Sequence, residues 1–336
     1  MDKLKVCYIY RNRGQGNISI EKVFGCIEEQ LNNTIDIIRI EVPEYKVTPL
    51  KLIENIKYCH KKAKEINADI YHITGDIHYV ALGLPGKNTI LTIHDIVLLN
   101  YKNSIKRAIF KLLWFKLPLR RCDSVTAISK KTKDDLNKLF PKFSKKVEVI
   151  ENPLIGNYTY CPKKIHNSNP RILQIGAREN KNLIRVTEAL NGIQCNLRII
   201  GKLSNEQIES LKMNHINYSN SFDITDDELI KEYEDSDIVI FASTFEGFGL
   251  PIIEAQAVGR PVVTSNIEPM TDVAGDGACF VDPFSVDSIK KGIIKVLTDT
   301  TYANQIVKNG KNNVERFKPS NIANYYLKLY HEVLKV

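Results

Sequence analysis

The sequence predicts an α/β protein made of two parallel-sheet domains with a ligand cleft between them, and three observations carry that expectation. Short runs rich in Val, Ile and aromatic residues alternate with longer segments of helical spacing, the pattern of consecutive βαβ units. The alternation breaks once near the middle, in a stretch without periodicity, and then restarts. A chain of 336 residues with 43% hydrophobic content is long enough for two ordinary cores, where one would be oversized.

In the first half, strands are predicted at 4–10 (LKVCYIY), 34–41, 69–73 (DIYHI), 89–93 (TILTI), 123–128 (DSVTAI) and 147–150. The break holds Pro153, Gly156, Pro162, His166, Asn167, Ser168, Asn169 and Pro170, the composition of a linker. It separates a domain over 1–155 from one over 170–318. Strands resume at 171–175 (RILQI), 196–200 (NLRII), 237–242 (DIVIFA), 261–264 (PVVT) and 278–281. The closing segment, 319–336, has helical spacing with Tyr325, Tyr326, Leu329 and Val333 as its apolar stripe. It is expected to be a packing helix that lies back toward the amino-terminal domain.

Charge and cysteine content narrow the function classes only coarsely. The 47 basic and 39 acidic residues leave a net +8, compatible with nucleic acid, anionic lipid or nucleotide phosphate and too mild to select among them. Cys7, Cys26, Cys59, Cys122, Cys161, Cys195 and Cys279 are odd in number and form no C-x-x-C pair, so neither a disulfide framework nor a zinc site is suggested. A reducing cytoplasm fits best. The apolar stretch at the amino end is too short for a signal peptide, and no run reaches the roughly 18 apolar residues of a spanning helix. A soluble or peripheral protein is expected.

Residues 237–261, DIVIFASTFEGFGLPIIEAQAVGRP, read as a buried strand, a Gly-punctuated loop and a helix with Pro251 suited to its first position. Such a junction at the carboxyl end of a strand favours negative charge, through free backbone N–H groups and the helix dipole. Gly247 and Gly249 let the backbone approach a ligand, so a phosphate-bearing ligand is implied. Glu246 in the loop and Glu254 one turn into the helix face one crevice. A carboxylate matches a vicinal diol, so one is suited to a ribose and the other to the hydroxyls of a sugar. The plainer alternative is a pair of solvated glutamates favoured by the dipole.

EGFGLPIIEA, with seven residues between its glutamates, resembles the E-x7-E signature of glycosyltransferase family 4. The resemblance extends over nearly all of 171–285, including AVGRPVVTSN and VAGDGACFVDP. It implies a GT-B fold, α/β with two Rossmann-like domains facing a central cleft, and a retaining transferase for bacterial polysaccharide or lipopolysaccharide synthesis. Under it, Glu246 holds the transferred sugar, Glu254 the ribose, and Gly247, Phe248, Gly249 and Leu250 line the donor diphosphate. IGARENKNL resembles the loop whose Lys contacts the diphosphate, which makes Lys181 the candidate. Arg178 comes one place later than the basic residue of many members. FDITDDEL resembles the segment facing the base, with Ile224 and Asp226 at the matching places; Asp226 is equally suited to be a helix N-cap. TIHD resembles the place where a His stands beside the donor sugar, which selects His94 as catalytic together with Glu246 and Lys181. His72 and His78 are further candidates for the acceptor side. Gly14 and Gly16 in RNRGQGN would admit the diphosphate from the opposite wall.

The implied partners are a nucleoside-diphosphate sugar, linked to uridine or guanosine, and a glycan or lipid-linked acceptor, with no nucleic acid. No cofactor is expected and metal-independence is. Asp235-Ser236-Asp237 has the D-x-D spelling but falls at the edge of the sheet opposite to ligand binding. Residues 102–121, KNSIKRAIFKLLWFKLPLRR, have no acid, and Ile109, Phe110, Leu112, Leu113, Trp114, Phe115 and Leu117 supply an apolar side. They suit either an anionic membrane surface, placing the enzyme at the inner face of the cytoplasmic membrane, or an ordinary core helix with a basic outer face. Rival functions are a non-hydrolysing sugar-nucleotide epimerase, which lacks the E-x7-E loop, and a non-catalytic nucleotide- or nucleic-acid-binding protein. No RNP-type strand or zinc motif supports the latter.

Overall fold

The structure, a computed structural model, describes residues 3–12, 14, 19–100, 103–163 and 168–335. The chain divides into two compact units, Met1–Pro153 with Lys318–Val336, and Leu154–Phe317.

In the first unit, β1 (Lys5–Tyr10), β2 (Asp36–Glu41), β3 (Ile70–Ile73), β4 (Thr89–Ile93), β5 (Ser124–Ala127) and β6 (Val147–Val149) form a parallel sheet in the order β2-β1-β3-β4-β5-β6. The helices α1 (Ser19–Leu31), α2 (Pro49–Ile66), α3 (Ser104–Phe110), α4 (Leu117–Arg121) and α5 (Lys130–Leu139) connect them. Strands β3, β4 and β5 are buried at every position, as helices on both faces of a parallel sheet require, and therefore read as continuous rather than alternating segments. The winding direction reverses between β1 and β3, which opens a crevice at their carboxyl ends.

The second unit repeats the plan with β7 (Arg171–Ile175), β8 (Asn196–Ile200), β9 (Tyr218–Ser221), β10 (Ile238–Phe241), β11 (Val262–Ser265) and β12 (Cys279–Val281), in the order β12-β11-β10-β7-β8-β9. Its helices are α6 (Leu183–Leu190), α7 (Asn205–Met213), α8 (Asp226–Asp235), α9 (Leu250–Val258), α10 (Met270–Ala274), α11 (Val286–Thr298) and α12 (Thr300–Val314). Here the reversal falls between β7 and β10. The loops leaving those two strands carry the predicted basic and acidic site residues. Strand β9, YSNS, is not among the strands that the sequence predicts. It is an edge strand that pairs with β8 alone and carries polar side chains, of which Asn220 donates to the carbonyls of Ile199 at 3.0 Å and Gly201 at 2.8 Å.

Helix α13 (Pro319–Val333) belongs to the first unit and packs on α1. Its buried stripe is Ile322, Ala323, Tyr326, Leu329, Tyr330 and Val333, whereas Tyr325 is 56% exposed. The expected inward Tyr325 is thus corrected to Tyr330. The Tyr330 hydroxyl lies 2.9 Å from the Tyr8 hydroxyl and 2.9 Å from His72 Nδ1, and His72 Nε2 lies 2.8 Å from Thr92 Oγ1. Burial pushes the His72 imidazole down to about 3, so it stays neutral within this network.

Candidate active site

The loops after β7 and β10 are joined by hydrogen bonds before any charge is considered. Thr244 N–H donates to the Asn180 carbonyl at 2.8 Å, and Asn180 Nδ2 donates to the Phe245 carbonyl at 2.9 Å and to Glu246 Oε1 at 3.2 Å. Asn182 holds a left-handed conformation and donates to the carbonyls of Ala242 at 2.9 Å and Pro283 at 2.6 Å. On this frame Lys181 Nζ reaches Glu246 Oε1 at 2.6 Å and stands 4.6 Å from the centre of the Phe241 ring. Both side chains are largely withdrawn from water, at 18% and 13% exposure, so their attraction is weakly screened. Gly176 is obligatory for this path: its φ is 87°, and a Cβ there would stand 2.9 Å from Lys181 Cγ.

Glu246 leads into α9, whose first residue is Leu250, with Pro251 second rather than first as expected. Gly249 precedes it with φ 117°, a conformation that side chains rarely adopt, and leaves the first N–H groups of the helix without a side-chain cap. Gly247 is half-buried, and Phe248 is buried with its ring edge-on to Phe317 at 5.7 Å. Glu254 lies one turn on and is 8% exposed. Tyr233 O–H donates to its Oε2 at 2.6 Å, and the Tyr158 phenol lies near the same carboxyl. Burial pushes Glu254 up to about 7, opposed by both phenols and by the Lys181 ammonium and assisted by Asp226. Glu254 is therefore a buried, tyrosine-bonded acid, and the solvated alternative does not apply to it.

Arg178 is exposed and Ile224 half-buried. Asp226 is the first residue of α8, and the N-cap is Thr225, whose Oγ1 accepts from Glu228 N–H at 3.2 Å while the Glu228 carboxylate accepts from Thr225 N–H at 2.7 Å. The N-cap reading of Asp226 is corrected accordingly. Asp237 is likewise structural: its Oδ2 accepts from Arg171 N–H at 2.7 Å and its Oδ1 lies 3.0 Å from Lys163 Nζ.

In the first unit, His94 follows β4 and its Nε2–H donates to the Thr74 carbonyl at 2.8 Å. Burial lowers its basicity, so the ring is neutral with Nδ1 as its acceptor. His72 and His78 are 0% and 2% exposed. His78 Nδ1 donates to the Trp114 carbonyl at 2.8 Å, and neither imidazole lines a surface for an acceptor, which corrects that expectation. Gly16 lies outside the described residues. The 102–121 segment is not one amphipathic helix: α3 runs into a π-helical stretch, Lys111–Lys116, and then α4. Trp114 and Phe115, expected on the outer apolar side, are 3% and 0% exposed, and Trp114 Nε1 donates to the Asp76 carbonyl at 2.6 Å. Ile105, Ile109 and Leu112, spaced along one helical stripe, stand outward instead, at 71%, 48% and 44% exposure.

Two doubly wound parallel units, the second with a Lys–Glu pair and a buried Glu around one helix start, define the GT-B class of transferase fold. The family pattern described as Glycosyl transferases group 1 matches residues 162–313, and the one described as Glycosyltransferase Family 4 matches residues 21–154. The O-antigen chain mannosyltransferase B of Escherichia coli is 32% identical over 107 residues, a stretch that is 32% of this chain and 28% of that protein. The chain thus spans under two thirds of that relative's length. A crystal structure of a glycosyltransferase from Rickettsia africae ESF-5 matches with a TM-score of 0.75 at 20% identity, over 100% of both chains. Anabaena Alr3699/HepE in complex with UDP-glucose matches with a TM-score of 0.76 at 15% identity, over 98% of this chain and 100% of that one. The two glycosyltransferase patterns follow one another along the chain, the family 4 segment almost wholly in the first unit and the group 1 segment in the second.

Proposed function

We propose that the protein is a retaining hexosyltransferase, which moves a sugar from a nucleoside-diphosphate donor to a glycan or lipid-linked acceptor in cell-envelope polysaccharide or lipopolysaccharide assembly. The observation that carries this reading is the gathering of Lys181, Glu246 and Glu254 around the start of α9. Lys181 and the N–H groups of 247–250 neutralise the departing diphosphate, with Arg178 as an exposed auxiliary. Glu246 accepts from hydroxyls of the transferred sugar, and Glu254 from the ribose diol. Ile224 and Asp226 flank the base. His94, neutral with Nδ1 as acceptor, takes the sugar contact that the family resemblance assigns to it. In the chemical step the bond from the anomeric carbon to the phosphate oxygen breaks. The acceptor oxygen bonds that carbon on the same face, and its proton passes to the leaving phosphate. A mannosyl donor is the first to test, given the name of the Escherichia coli relative. UDP-hexoses follow, given the UDP-glucose of the Anabaena neighbour.

Lys181 supplies positive charge at the diphosphate, and Asp237 is engaged by Arg171 and Lys163, so the proposed chemistry is metal-independent. Transfer from GDP-mannose or a UDP-hexose to an envelope glycan should therefore persist in excess EDTA. Loss of transfer restored only by Mg²⁺ or Mn²⁺ would refute that part, and absence of transfer from every donor would refute the whole. The outward stripe Ile105, Ile109 and Leu112, with Lys106, Arg107 and Lys111 beside it, is assigned to the anionic inner face of the cytoplasmic membrane.

A further inference from the structure

The amino ends of β7, β8 and β9 are framed by turns rich in amide side chains. Helix α6 closes through Asn191 and Gly192, the latter at φ 79°, and α7 closes through Asn214 and His215, the latter at φ 51°, where a helix end ordinarily takes Gly or Asn. Asn191 Nδ2 donates to Asn214 Oδ1 at 3.3 Å, and Asn214 Nδ2 donates to the Ser210 carbonyl at 2.9 Å, so the two turns are tied together. Between them lies a cavity of about 500 Å³, within the range of about 300–1,000 Å³ common to small-molecule sites. We propose that this cavity is a second, non-catalytic glycan site, which holds a neutral stretch of the saccharide that the enzyme extends. The identity of that saccharide rests on the transferase reading; the site itself does not.

The lining decides the chemical class of the ligand. Asn169, Gln194 and Asn217 contribute amides and His215 an imidazole, none of them committed to a side-chain hydrogen bond with another described residue. Each amide offers two N–H donors and an accepting oxygen, the match for a sugar hydroxyl that both donates and accepts. Leu190 is 0% exposed and Ile193 and Ile216 are half-buried, an apolar floor suited to the C–H face of a sugar ring. Among the described residues none of the lining side chains is Asp, Glu, Lys or Arg. Lys290 approaches the turn at Gly192, but its Nζ donates to the Asn191 carbonyl at 2.6 Å. A phosphate or uronate would therefore leave water without a fixed compensating charge, a cost that a neutral polyol does not carry.

The cavity is separate from the donor site. Strands β7 and β8, of 5 residues each, put about 16 Å between their amino ends and the loops at the opposite edge of the sheet that carry Lys181 and Glu246. A glycan gripped at the amino ends stays with the enzyme between transfers, and its bound segment raises the local concentration of acceptor ends.

The test is hydrogen–deuterium exchange of the full chain with neutral tetrasaccharides of mannose and of glucose at millimolar concentration, with inorganic phosphate as the anionic control. Either saccharide should slow exchange of backbone amides within 190–195 and 214–217, and phosphate should not. Gln194→Leu together with Asn217→Leu removes two amides at nearly constant volume. The double variant should bind the saccharide about tenfold more weakly at this footprint, as two hydrogen bonds of ordinary strength predict, while UDP or GDP protects 246–250 as in wild type. Protection of 190–195 and 214–217 that is absent with both saccharides, equal in the double variant, or produced by phosphate instead would overturn the proposal. Absence of transfer from every donor, with the saccharide footprint intact, would overturn the transferase reading and leave the glycan site standing.

Discussion

Lys181→Met lowers kcat by about 10³-fold and weakens the donor by roughly tenfold, the size expected when a charged stabiliser of the leaving group is removed from a sheltered site. Methionine keeps the stem that lies across Phe241, while the ammonium 2.6 Å from Glu246 is lost. The rate should fall further than the affinity, because charge on the diphosphate oxygen grows as the bond to the sugar breaks. Steady-state and single-turnover assays with the preferred donor check this. A variant that keeps wild-type kcat with only a raised KM would show that Lys181 merely binds.

That prediction was accessible from sequence because E-x7-E and the preceding Lys lie in short local patterns. Glu246 and Glu254 fall on opposite sides of one helix start, and Gly176 and Gly249 mark the tight backbone around them. The supports of these residues were not legible. Asn180 and Tyr233 act through contacts between segments far apart in the chain, and nothing local distinguishes a tyrosine that bonds a glutamate from one that fills a core. Buried strands were readable as apolar runs, but β9 has no such run, since an edge strand needs no second apolar face. His72 and His78 lie near strand ends as site histidines do, yet both are buried, His72 bonded through both ring nitrogens and His78 donating to the Trp114 carbonyl.

The basic segment shows the same limit from the other side. An apolar helical face reads alike whether a membrane or the protein's own core covers it. Here the π-helical stretch divides the residues, sending Trp114 and Phe115 inward and leaving Ile105, Ile109 and Leu112 outward. The corrected surface still predicts salt-sensitive association with anionic vesicles. Each basic residue near such a surface contributes about 1 kcal/mol, so changing Lys106, Arg107 and Lys111 to Glu should weaken binding by at least roughly 10²-fold. Changing Ile105 and Ile109 to Ser should weaken it at high salt as well. Fluorescence of the chain's single Trp should not shift on binding, because Trp114 is already buried. Sedimentation with anionic and neutral vesicles decides the matter: a wild type that ignores both has no membrane surface here.

If the second unit holds a nucleoside diphosphate at the start of α9, thermal unfolding of the wild-type chain with UDP, GDP, ADP and the corresponding nucleosides reveals it. At a ligand concentration of about 100 Kd, binding to the native state adds about 2.7 kcal/mol. UDP or GDP should therefore raise Tm by several degrees, the free nucleosides much less, and Lys181→Met together with Glu254→Gln should erase the shift. Equal unfolding temperatures with and without every diphosphate, at millimolar ligand, would mean that the second unit holds no nucleoside diphosphate there.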